Sequence, residues 1–342
     1  MSKIFSSFNR CLGLDLGSSR TRVWLKNTQT AEPILLDEPS LIAVDQTQNK
    51  VVAIGQAAAD MQGRVKGQVK VFSPICHPKI TDDELLRVFL KLLLRQLNQK
   101  VYLFSPTMLV SLPSSVYPVM REVVVEVLTE LGANEVFIID QSLAAAIGAG
   151  IPVADASGSF LLQLGAGVVE ASAISLTKIV QTQTSFKAGN DICQELIYWF
   201  ADNKHLKISQ SIAQQVLQNL GNLSDEANFK LGITGLAIKE QQPLEVEVRA
   251  QEVRQVIEAY GQRYVILMKK LLAMVPPDLT IDVIDKGLLL SGGLSKLAGL
   301  EQYLVEQLKI PVSTVDDPDL AVIRGVGLVL QHLDEFKTSL GY

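Results

Sequence analysis

Residues 11–27 read CLGLDLGSSRTRVWLKN. Leu12, Leu14 and Leu16 alternate with their neighbours, Gly17-Ser18-Ser19 interrupts, and Thr21, Val23 and Leu25 resume the same period of two. Alternation on both sides of three small residues predicts a β-hairpin. A turn of glycine and serine does more than reverse the chain. With no bulky side chain in the way, its backbone N–H groups approach a phosphate closely, and the hydroxyls add donors. Asp15, just before the turn, is placed to hold Mg²⁺ through water, since that ion takes carboxylates together with retained waters and substrate phosphates. One Gly-Ser hairpin alone is usually no more than a turn.

The pattern recurs. Residues 161–176, LLQLGAGVVEASAISL, repeat strand, tight turn and strand, with Gln163 standing 148 residues after Asp15. Gly165, Ala166 and Gly167 form this second turn, and a third small pair, Gly292-Gly293, follows a strand expected at 287–290. Two such cradles, one from each of two lobes, would clamp a polyphosphate.

Outward from these turns, alternation predicts a strand pair over 39–54 around Gln46–Asn49. A helix is predicted over 82–98, where Leu85, Leu86, Phe89, Leu90, Leu93 and Leu94 share a face behind Thr81 and Asp82 as capping candidates. Strand, helix, strand over 107–112, 117–131 and 135–140 make the first lobe α/β. The small-residue helix SLAAAIGAG and the Pro/Gly/Ser stretch after it, within 141–160, read as the connection between lobes. Further on, 190–202 and 210–220 read as helices and 243–249 as an edge strand. Residues 251–274 read as a long helix stopped by Pro276-Pro277.

Composition excludes several classes. The chain has 342 residues, 48% hydrophobic and 20% charged, with a net charge of −5. That suits a globular protein of about two domains and supplies no field for gripping nucleic acid. Mean hydropathy is +0.24, yet charged residues or glutamine break every apolar stretch before the roughly 18–20 residues of a membrane span. Cys11, Cys76 and Cys193, and the scattered His77, His205 and His332, offer neither a disulfide framework nor a zinc site. They point to a reducing compartment. The opening MSKIFSSFNR lacks a secretory apolar region.

Taken in order, these segments resemble the actin-like ATPases and, among them, the MreB-type bacterial actin homologues. CLGLDLGSSRTRVWLKN is similar to the family's first phosphate loop and EPSLIAV with KVVAIGQAA to its small first-lobe subdomain. DQSLAAAIGAGI matches the connecting helix and LLQLGAGVVEASAISL the second phosphate loop. AGNDICQELIYWF follows it, GLLLSGGLSKLAGL resembles the adenosine loop, and DDPDLAVIRGVG lies near the end. The resemblance implies an α/β actin-like fold whose two lobes are each built on a βββαβα-type core with a small inserted subdomain. The first lobe would be 1–150, with an insertion at about 28–72 and the C-terminal segment at about 320–342 packing back onto it. The second would be 151–319, with an insertion at about 188–250.

It also implies ATP with Mg²⁺ as ligand, held by Asp15, Gly17, Ser18 and Ser19, by Gly165, Ala166 and Gly167, and by Glu226, Gly292 and Gly293, with Asp15 at the metal. The departures from the family are specific. Gln163 and Val168 replace an Asp and a Thr of the second phosphate loop, and Gln141 replaces a Glu before the connecting helix. In the family that Glu and that Thr hold the attacking water. Valine forms no hydrogen bond and an amide is no base, so no catalytic residue is expected and hydrolysis should be weak or absent. Loss of the acid at Gln163 weakens metal and nucleotide binding, or abolishes it.

Ile4, Phe5 and Phe8 would share one face of a short N-terminal helix, and Leu103-Phe104 stands where the family carries an apolar membrane-inserting pair. These residues imply peripheral association with the inner face of the cytoplasmic membrane. Self-assembly head to tail and contact with cell-wall or shape machinery are further implications of the family. The competing classes are a non-polymerising actin-like nucleotide-binding adaptor and a working ATPase or sugar kinase of the same fold.

Overall fold

A computed structural model describes residues 11–26, 33–64, 67–76, 79–97, 105–224 and 229–340. The chain divides into two units, one comprising Met1–Ala156, Ser175–Ile179 and Asp319–Tyr342, the other Ser157–Ile174 and Val180–Pro318.

In chain order the elements begin with β1 (Cys11–Leu16), β2 (Arg20–Leu25), β3 (Ile34–Pro39), β4 (Ile42–Asp45), β5 (Lys50–Ile54) and α1 (Gly55–Met61). Then come β6 (Val69–Phe72), β7 (Ile75–Cys76), β8 (Lys79–Ile80), α2 (Asp83–Arg95), β9 (Thr107–Leu112), α3 (Pro118–Glu130), β10 (Glu135–Asp140) and α4 (Gln141–Gly148). The second unit carries β11 (Ser159–Leu164), β12 (Val169–Ser175) except its last residue, β13 (Lys178–Ser185) from Val180 on, α5 (Gly189–Lys204), β14 (Leu206–Lys207), α6 (Gln210–Leu220), β15 (Lys230–Ala237) and β16 (Pro243–Arg249). It continues with α7 (Ala250–Met274), α8 (Pro277–Lys286), β17 (Leu288–Ser291), α9 (Leu300–Leu308) and β18 (Val312–Thr314). The chain then enters α10 (Ala321–Gln331) and α11 (Leu333–Leu340).

The main sheet of the first unit has the order β10-β9-β1-β2-β3, and that of the second β13-β12-β11-β17-β18. In each, an antiparallel hairpin (β1/β2, β11/β12) is extended on its first strand's side by parallel strands (β9 and β10, β17 and β18). Each unit also carries a small three-stranded sheet, β5-β4-β6 in the first and β14-β15-β16 in the second. This is the actin-like α/β fold.

Strand periodicity assigns the two faces of β1. Leu12, Leu14 and Leu16 sink into a core with Leu86, Phe89, Leu90 and Leu93 of α2 and Val124, Val127 and Leu128 of α3. On the other face Gly13 lies under α10, where a β-carbon would come within 2.6 Å of Val326 Cγ1. Asp15 shares that face, two residues further toward the turn. The second core joins Phe160, Leu162 and Leu164 of β11 to Leu196 and Phe200 of α5 and to Ile257, Tyr264 and Met268 of α7.

The hairpins at 11–26 and 161–176, the pair within 39–54 and the helices expected over 82–98, 117–131, 190–202, 210–220 and 251–274 all form. The cap of α2 is Asp82, whose carboxylate accepts from Leu85 N at 3.0 Å, because Thr81 Oγ1 donates to Ser73 O instead. Pro276-Pro277 ends α7 and also begins α8, with Pro277 at the first helical position where its missing N–H costs nothing. Among the described residues no helix is long and apolar enough to cross a membrane.

Candidate functional site: two phosphate-loop turns

In the first unit the turn after β1 is closed by Gly17 N donating to Arg20 O at 3.1 Å. A β-carbon on Gly17 would come within 2.6 Å of that same carbonyl, so glycine is required. The carbonyls of the turn all point one way. Gly17 O accepts from Ser40 Oγ at 2.6 Å and Ser19 O from Ser40 N at 2.9 Å, while Ser73 Oγ, which donates to Ile75 O at 2.8 Å, lies 3.4 Å from Ser18 O. A trans peptide sets its N–H opposite its C=O. Holding the Gly17 carbonyl therefore turns the Ser18 amide to the other side, as an anion cradle requires.

Behind the turn, register builds a polar row across the sheet. Asp15 pairs with Ser111 on β9 and with Arg22 on β2, and Arg22 pairs with Asp37 on β3. Asp15 is 5% exposed. Its Oδ1 accepts from Ser111 Oγ at 3.0 Å and from Gln141 Nε2 at 3.2 Å, and its Oδ2 lies 3.5 Å from Arg22 Nη1. Burial pushes the Asp15 carboxyl above the usual aspartate range, with Arg22 and the Ser111 hydroxyl pulling it back. Arg22 Nε in turn donates to Asp37 Oδ2 at 3.2 Å, and Asp37 Oδ1 accepts from Arg20 Nε at 2.6 Å.

The second unit repeats the turn. Gly165 N donates to Val168 O at 3.0 Å, and a β-carbon on Gly165 would meet that carbonyl at 2.7 Å. Here the N-terminus of α5 does the holding, with Gly189 N donating to Gly165 O at 3.2 Å and Asn190 N to Ala166 O at 2.8 Å. By the same peptide geometry the Ala166 and Gly167 amides face away from α5.

Gln163 pairs with Ser291 at the end of β17, so the Gly292-Gly293 turn lies at the same sheet end as Gly165–Val168. Gly292 has φ +88°, a conformation that favours glycine, and a β-carbon there would strike Leu164 O. Gly293 is different, because a β-carbon there would meet nothing within 4 Å. The next residue, Leu294, packs against the second core beside Gly189.

Three positions that depart from the family pattern are buried: Gln141 6% exposed, Gln163 7% and Val168 4%. Gln141 spends its amide on Asp15, while Gln163 Oε1 has no hydrogen-bond partner among the described residues. Glu170, fully buried, is the β12 partner of Gln163, as Arg22 is the β2 partner of Asp15. Among the described residues no three His, Cys, Asp or Glu side chains cluster to hold a metal ion.

Glu226, Ile4, Phe5, Phe8, Leu103 and Phe104 lie outside the described residues. Sequence reasoning missed Ser40, Ser73, Ser111 and Arg22. Only Arg22 carried a local signal, since a hairpin closing on Gly17–Arg20 makes it the partner of Asp15.

The MreB/Mbl protein family model matches residues 9–338. This chain belongs to the MreB/Mbl family. Cell shape-determining protein Mbl of Bacillus subtilis is 29% identical over 96% of this chain and 98% of its own length. Cell shape-determining protein MreB of Escherichia coli K12 is also 29% identical, over 98% of this chain and 97% of its own. Among solved structures, MreB5 of Spiroplasma citri bound to AMPPNP superposes with a TM-score of 0.90 at 25% identity, covering 97% of this chain and 98% of that one. The MamK double helical filament has a TM-score of 0.78 at 16% identity and shares the fold. Membership explains why an MreB/Mbl chain carries the hairpin twice at a fixed offset, since the actin-like fold repeats one core motif in each half.

Proposed function

We propose that this chain is a filament-forming cell shape protein of the MreB type that binds a nucleoside polyphosphate and hydrolyses it slowly or not at all. Binding draws on the amides of Ser18, Ser19, Ala166 and Gly167, on the small-residue turn at Gly292-Gly293 and on Glu226 toward the nucleoside. The AMPPNP and ADP of the Spiroplasma citri MreB5 structures support a nucleotide as the ligand. The Mbl and MreB relatives, named as cell shape-determining, support the cellular role.

The observation that carries the loss of turnover is the hydrogen bond from Gln141 Nε2 to Asp15 Oδ1 at 3.2 Å. An amide that donates to a carboxylate is not a base for an attacking water, and the buried valine at 168 offers that water no partner. Phosphoryl transfer in such sites is mostly positioning and charge stabilisation, so losing both groups leaves a ligand bound but uncut. The filament is then expected to be static, because hydrolysis no longer biases subunits toward leaving.

Head-to-tail self-association is a heterologous contact that does not close on itself. Many copies would multiply the weak membrane affinity of Ile4, Phe5, Phe8, Leu103 and Phe104 at the inner face of the cytoplasmic membrane, where wall-building machinery is the expected partner. Sedimentation and electron microscopy on lipid, with and without ATP, test this. Filaments on the bilayer support it, and monomer alone at high concentration in both conditions overturns it in favour of a non-polymerising adaptor.

A further inference from the structure

The carboxylate that a metal ion would need at the first turn is already engaged. Asp15 Oδ1 takes Ser111 and Gln141, its Oδ2 faces Arg22, and Arg22 bridges onward to Asp37, which Arg20 also holds. The row therefore contains two acids and two guanidiniums and presents no net negative charge. Gln141 and Gln163 add neutral amides. Magnesium dehydrates reluctantly and is held by carboxylates together with waters and substrate phosphates, so a balanced row with a fixed cation beside its one buried acid does not fit it.

The geometry points to Arg22 as a built-in cation at the first phosphate loop, so that the chain binds a nucleoside polyphosphate without a divalent metal. This rests on the nucleotide-binding reading above. Arg22 lies one residue pair behind the turn, since Leu16 and Thr21 form the pair between. Its side chain is 10% exposed, enough to be reached and dry enough for its charge to count. Among the described residues Nε is committed to Asp37 and Nη1 faces Asp15, which leaves Nη2 to meet a phosphate oxygen. Guanidinium is always charged, weakly hydrated and shaped for phosphate.

Calorimetric titration of the full chain with ATP, in Mg²⁺ and separately in EDTA, tests the inference. Dissociation constants equal within about threefold in the two media are expected. Arg22→Leu is expected to weaken binding in EDTA by about tenfold or more, the scale of one charge-assisted hydrogen bond. Asp15→Asn is expected to tighten binding, because it frees the guanidinium and removes a charge that repels phosphate. Binding in Mg²⁺ tenfold or more tighter than in EDTA, or weakened by Asp15→Asn, overturns the inference and leaves nucleotide binding standing. No heat and no thermal shift in either medium overturns the nucleotide reading and this inference together. If Arg22→Leu fails to fold by circular dichroism, the wild-type comparison and Asp15→Asn still decide.

Discussion

Gly148 of α4 and Gly325 of α10 face each other where the two helices cross, and neither position has room for a β-carbon. One added at Gly148 would overlap Ala321 O and lie 2.6 Å from Gly325 N, and one added at Gly325 would overlap Ala144 O. The contact is backbone on backbone, so no side chain can swing away to relieve it. The crossing holds α4, which Gln141 begins, against α10, the helix that covers the face of β1 carrying Gly13 and Asp15.

Gly325→Ala is therefore expected to destabilise by about 3 kcal/mol, the upper end of ordinary overpacking, read as a lower urea midpoint. Gly293→Ala, where the added carbon meets nothing, is expected to change the midpoint by less than about 0.5 kcal/mol, as for surface sites without special features.

Tyr264 is 2% exposed and its hydroxyl has no hydrogen-bond partner among the described residues. A buried hydroxyl left unpaired costs more than it returns. Tyr264→Phe is expected to raise stability by about 1 kcal/mol in urea unfolding, and a loss of similar size would show that the hydroxyl is satisfied in solution.

Burial pushes the Cys193 thiol up to about 12, while Cys76 is exposed. The thiolate is the reacting species. Alkylation at pH 8 followed by peptide mass spectrometry is expected to label Cys76 first and Cys193 only after urea is added.

The raised pKa of Asp15 sets a pH dependence. A carboxyl whose folded value lies above its unfolded value, ordinarily about 3.9, contributes stability that is complete below that value and lost as pH rises through the folded one. Asp15→Asn imitates the protonated form. Its Tm is expected to match wild type below about pH 4 and to exceed it at neutral pH. A variant less stable than wild type at pH 7 would show that the Arg22 pair outweighs desolvation.

The two hairpins were legible because alternation around Gly17-Ser18-Ser19 and Gly165-Ala166-Gly167 is local. The groups that aim the turns were not, since Ser40 reaches Gly17 only through the folded register. β15 escaped notice because Gly232 and Gly235 break its pattern, and β13 because Ile179 and Val180 are its only apolar residues. α8 was hidden by a proline pair that both ends one helix and starts the next. The residues expected to touch nucleoside or membrane, Glu226, Ile4, Phe5, Phe8, Leu103 and Phe104, lie outside the described residues.

The most direct test is release of inorganic phosphate from ATP by the purified chain, measured at concentrations where calorimetry shows nucleotide bound. The Gln141 amide on Asp15 and the valine at 168 predict release at or barely above the buffer blank, with or without Mg²⁺. Steady release that Asp15→Asn abolishes would contradict them.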